Sequence, residues 1–138
     1  NMLESFLLAY RDFAPLALRL ALGIILIRHG WPKFFGTNPG LKGFAGWLGS
    51  MGFPLPIFWA LIVAVLEVFG GAALALGLLT QWVALLVVIE FAVIMLTVKI
   101  KQPFSEKEFD LLIFAAALAL VFLGSGFYSF DRWFNLVS

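Results

Sequence analysis

Residues 55–98 read LPIFWALIVAVLEVFGGAALALGLLTQWVALLVVIEFAVIMLTV, and this stretch decides the fold. It carries two ionisable side chains, Glu67 and Glu90. A membrane-spanning helix needs roughly 17–25 mainly apolar residues. Two such runs are present, 55–79 and 81–98, and only Gly77, Thr80 and Gln81 break the apolar character between them. A link this short makes the two helices an antiparallel hairpin.

Two further apolar runs flank the hairpin, at 15–30 and 109–124. Pro15 suits a helix start, where its missing N–H costs nothing. The expected fold is therefore all-α: one domain over residues 1–138, an integral membrane four-helix bundle. Asn1, ahead of Met2, is set aside as a remnant. The first run has no small-x-small cleavage pattern after it and is expected to be a retained span.

Composition agrees with lipid as the solvent. The chain is 63% hydrophobic and 12% charged, with mean hydropathy +1.06. Soluble domains are about half apolar and about a quarter charged, and a domain this small has too much surface to hide the excess. The net charge of +1 gives no reason to expect nucleic acid as a partner. The chain has no cysteine, which removes disulfides, thiol redox chemistry and cysteine-bound iron–sulfur clusters. With His29 as its one histidine, a single chain cannot hold haem through two histidines. No metal site or intrinsic cofactor is expected, and no Gly-x-Gly-x-x-Gly fingerprint follows a strand.

The long link from Trp31 to Pro54 carries Leu41, Phe44, Leu48 and Met51 at helical spacing, which predicts a short interfacial helix over 40–51. Four spans put both termini and the tight link on one side, with Arg11 and Arg132. Lys33, Lys42, Lys99, Lys101 and Lys107 lie on the other. The positive-inside rule then places the termini outside a prokaryotic cytoplasmic membrane.

Charges within spans cost several kcal/mol (order of magnitude) unless paired, hydrated or snorkelling. Arg28 stands near a span end and can snorkel. Asp110, in the first turn of its helix, suits the helix dipole. Glu67 shares a stripe with Ala60, Ala64, Gly71 and Ala75, small residues that let membrane helices approach closely. It should face another helix. Arg19 is expected to pair with Glu90 or Glu67, and the acid left over should hold a proton. This Arg19–Glu67–Glu90 set reads either as packing glue or as a proton-carrying or ligand-binding site. His29, Trp31 and Lys33 stand where the first span meets the interface. They read either as interface anchors or as an interfacial pocket for a quinone head group or a small anion.

Several motifs resemble the DoxX family of small prokaryotic membrane proteins. They are Gly30-Trp31-Pro32-Lys33-Phe34-Phe35-Gly36, Leu66-Glu67-Val68-Phe69-Gly70-Gly71 with Leu76-Gly77-Leu78-Leu79-Thr80, and Gly124-Ser125-Gly126-Phe127-Tyr128-Ser129-Phe130-Asp131. Met51-Gly52-Phe53-Pro54 is similar as well. Where members usually have Gly-Pro-Gly, this chain has Gly124-Ser125-Gly126. Lys33, Glu67, Gly70, Gly71, Ser129 and Asp131 fall on the family's motifs, which assign them no chemical role.

The resemblance implies an oxidoreductase-like membrane subunit that binds a quinone or anchors a soluble redox enzyme. Two alternatives stand beside it. One is a small proton-coupled transporter or ligand-binding protein, for which four helices are few, so that a homo-oligomer would be needed. The other is a non-catalytic scaffold.

Overall fold

The computed structural model describes residues 1–36 and 40–135. It is helical, with no strand among the described residues. The helices are α1 (Met2–Ala9), α2 (Phe13–Phe34), α3 (Gly40–Ser50), α4 (Pro56–Leu76), α5 (Thr80–Val98), α6 (Glu108–Leu123) and α7 (Phe130–Trp133). A 3₁₀ turn, Phe104–Glu106, precedes α6. Leu66–Gly70 within α4 and Ile94–Val98 at the end of α5 are π-helical.

Three helices, α2, α4 and α5, are long and apolar enough to cross a membrane. The expected fourth span is α6, an apolar helix of 16 residues. The expected helix over 40–51 is α3. Two elements differ from expectation. α1 was not anticipated: Asn1 caps it through Glu4, and none of its residues is buried. α2 also runs through Pro32 to Phe34. That extension puts Lys33 one turn beyond His29 on the same helix face.

The hairpin turn follows from backbone conformation. Gly77 ends α4 at φ +74°, the left-handed conformation that glycine adopts without strain. Its N–H donates to Leu74 O, and Leu78 N–H donates to Ala73 O.

In lipid, apolar contact between helices gains little over contact with acyl chains, so close backbone packing and polar links decide the arrangement. α2 and α4 cross through glycine. A Cβ on Gly71 would stand 2.7 Å from Gly23 O, and one on Gly30 would stand 2.6 Å from Glu67 Cβ. α5 packs on α6 through Ala84, Val87, Phe91, Ile113, Ala117 and Leu120, joined by Leu22, Leu26 and Leu74. A second cluster of Phe44, Ala45 and Leu48 seats α3 against Ala60 of α4. Phe58, Leu61, Phe69, Trp82, Leu86, Leu112 and Phe122 point outward, which lipid tolerates.

Candidate functional site

The small-residue stripe of α4 faces inward: Ala60, Ala64, Glu67 and Gly71 are all buried. Glu67 stands in the π-helical segment directly beneath Gly30 of α2. Single π-helical turns inside α-helices often mark functional positions. Here the turn carries a carboxylate only 1% exposed.

The cation that meets Glu67 is Lys33. Its Nζ donates to Glu67 Oε1 at 2.7 Å and lies 4.9 Å from the centre of the Phe44 ring. Glu90 of α5 is a second carboxyl on the same cavity lining as Glu67. Glu67 Oε2 and both oxygens of Glu90 are buried without a partner among the described residues. Two carboxyls and one ammonium are electroneutral when one of the acids holds a proton, and charge balance is what a low-dielectric site demands.

These groups form one wall of a cavity of about 700 Å³, within the range of small-ligand sites. Aromatic residues, Phe44, Trp47, Trp59 and Phe109 among them, line much of the rest. A second ion pair stands on the lining: Lys99 Nζ is 2.5 Å from Asp110 Oδ2 and also donates to Glu106 O. His29 lines the cavity with its ring stacked on Phe109, centroids 5.4 Å apart. The cavity sits where the end of α2, the start of α4, the end of α5 and the start of α6 meet, with α3 across it.

Two expectations need correcting. Arg19 joins neither glutamate. It is buried at the opposite end of α2, where Nη1 donates to Ser125 O and both Nη atoms donate to Tyr128 O at 2.8–2.9 Å. The physical reason is the chain's return after α6. The turn at Gly124–Gly126 brings unpaired carbonyls to the first half of α2, within direct reach of Arg19. Trp31 is not part of a pocket with His29 and Lys33. It is 54% exposed, tilted against Phe35. Two positions from either residue is about 200° around a helix, whereas His29 and Lys33, four apart, share a face.

The Arg19 end has its own polar cluster. Asp131 accepts from Leu79 N at 2.6 Å and from Thr80 N at 2.9 Å, capping the start of α5. Its own N–H donates to Gly77 O. Ser129 Oγ bonds Ser125 Oγ and Gly126 O. This cluster ties the chain after α6 to the α4–α5 turn.

The DoxX family model matches residues 14–100, well over half of the sequence. The chain belongs to the DoxX family. A protein of Bacillus subtilis (strain 168) named "Putative oxidoreductase CatD" is 36% identical over 121 residues, which is 87% of this chain and 86% of that protein. No solved structure matches. With the three apolar helices, membership marks this DoxX protein as a membrane protein.

The six residues on the DoxX motifs separate into distinct physical roles. Lys33 and Glu67 make the ion pair at the cavity. Gly71 lets α2 and α4 touch, and Gly70 packs against Val83 of α5. Ser129 and Asp131 belong to the cluster at the far end. Lys99, Asp110, Trp47 and Trp59 join the cavity without having been singled out as site residues. Their signal in the sequence was the placement of charge and indole rings at span ends, which interface anchoring explains equally well. Among the described residues, no three His, Cys, Asp or Glu side chains gather as metal ligands.

Proposed function

We propose that this DoxX protein is a membrane-embedded redox-associated subunit that binds the head group of a quinone-type ligand in the cavity beside Lys33, Glu67 and Glu90. The observation carrying this reading is the cavity itself: about 700 Å³ with Phe44, Trp47, Trp59 and Phe109 on its walls and the Lys33–Glu67 ion pair on its lining. The name of the Bacillus relative and the family support the redox class. A bound quinone would supply two-electron, two-proton chemistry.

Lys33, Glu67 and Glu90 would orient the head group, and the acid pair would hold or release a proton at its edge. Phe44, Trp47, Trp59 and Phe109 would enclose the ring. The chain has no thiol, so electrons would pass through a soluble oxidoreductase. That partner would dock on the face bearing Lys33, Lys42, Lys99, Lys101 and Lys107. In this arrangement α6 is the fourth span, that face is cytoplasmic and both termini lie outside.

Tryptophan fluorescence tests the reading, because Trp47 and Trp59 line the cavity. A short-chain quinone added to the purified protein should quench emission saturably and raise the melting temperature. Trp47→Phe should reduce the quenched fraction. Quinones that shift neither signal, while a water-soluble anion does, would sink it.

The paired mid-span acids also favour a second reading, a proton-coupled carrier working as an oligomer. That reading fails if Glu67→Gln and Glu90→Gln both retain activity in cells.

A further inference from the structure

The cavity is bounded unevenly. The hairpin helices α4 and α5 are close near their turn. There a Cβ on Gly70 would stand 3.2 Å from Val83 Cγ1, and Leu74 shares a core with Ala84 and Val87. Toward the other end the two helices part: Pro56–Val65 packs on α2 and α3 rather than on α5. The neighbouring seams are closed. α2 packs on α3, α4 and α6, and α5 packs on α6. Among the described residues, the open side of the cavity is therefore the wedge between residues 59–66 of α4 and 86–93 of α5.

The rims of this wedge face two ways. Trp59, Ile62 and Leu66 recur at helical spacing on α4, as Leu86, Ile89 and Val93 do on α5. All six line the cavity. Leu86 and Ile89 are nevertheless each 51% exposed, and Trp59, Ile62 and Val93 are exposed as well. At 1.5 Å per residue, Ile62 lies about 9 Å into α4 and Ile89 about 14 Å into α5. Both therefore stand within a hydrocarbon core about 30 Å thick. An opening at that depth meets acyl chains, not water. Entry from water would have to pass the interfacial end, where α3 and the Lys99–Asp110 pair stand. We infer that the wedge is a lateral portal: the ring ligand enters sideways from the bilayer, and its alkyl or isoprenoid tail lies between α4 and α5 against Ile62, Leu66, Leu86 and Ile89. The inference rests on the proposed quinone site and adds its ligand class, a lipid-borne ring with a tail, and its route of entry.

Photolabelling of the native full chain in nanodiscs tests the portal. The probe is decylubiquinone carrying a diazirine on the third carbon of its tail, and excess plain decylubiquinone is the competitor. The label that the competitor removes should fall on residues 59–66 and 86–93. Competed label confined to other residues overturns the portal and leaves the quinone site standing. If no label is competed, the quinone site falls and the portal with it. Calorimetry on Ile89→Trp, which fills the wedge, reads the tail separately. Decylubiquinone should bind about tenfold more weakly or worse, the scale of forcing an indole into filled space. Duroquinone, which has no tail, should keep its affinity within about twofold. An equal effect on the two ligands, whether loss or none, overturns the portal. If this variant does not fold, the labelling of the native chain decides alone.

Discussion

Lys33 Nζ lies 2.7 Å from Glu67 Oε1, and the pair joins the last turn of α2 to the π-helical segment of α4. The lysine keeps 22% of its side-chain surface exposed, while the glutamate keeps 1%. The cation therefore stays partly accessible on the cavity lining, and the buried acid depends on it. Replacing Lys33 with Met should lower stability by about 2–3 kcal/mol, below the range for a fully buried pair because the lysine is partly hydrated. The double variant Lys33→Met, Glu67→Gln should recover part of this loss. Chemical denaturation in detergent as a double-mutant cycle reads the coupling. Additive losses would show that the pair does not hold the helices.

The crossing of α2 and α4 sets that contact. Gly30→Ala would place a methyl group 2.6 Å from Glu67 Cβ. The helices must separate or shift, at a cost of about 1–3 kcal/mol. The melting temperature should fall, and quinone-induced quenching should weaken with it. Gly46→Ala is the control, because a Cβ there meets nothing within 4 Å. It should leave both signals unchanged.

At the far end, Asp131 accepts from Leu79 N and Thr80 N. Asp131→Ala leaves the start of α5 without its cap, a loss of about 1–2 kcal/mol. Hydrogen exchange at residues 79–81 should accelerate. Ligand binding at the cavity should hold at concentrations where the variant stays folded, because the two clusters stand at opposite ends of α2. A selective loss of binding would show that the ends are coupled.

Glu90 carries two buried oxygens without partners. Groups of this kind are often retained for function at the expense of stability. Glu90→Leu should be neutral or stabilising by about 1 kcal/mol, as apolar replacement of a buried polar group without partners often is. The same variant should lose ligand-induced thermal stabilisation. A large fall in melting temperature would instead give Glu90 a packing role.

The linear pattern alone determined the membrane class, the tight 77–81 hairpin, the helix over 40–51 and the inward stripe of α4 that carries Glu67. Those features follow from apolar run length and the 3.6-residue period, which are local properties of the chain. Which cation meets Glu67 is not local. Lys33 and Glu67 are 34 positions apart, and Arg19 finds its carbonyl partners 106 and 109 positions away. Those pairings depend on where Gly23, Gly30 and Gly71 let α2 cross α4, and on where the turn after α6 returns the chain. Charge and hydropathy at 15–30 offered Arg19 either acid. Only the three-dimensional packing placed Arg19 beside Ser125 and Tyr128 and left the cavity acids to Lys33.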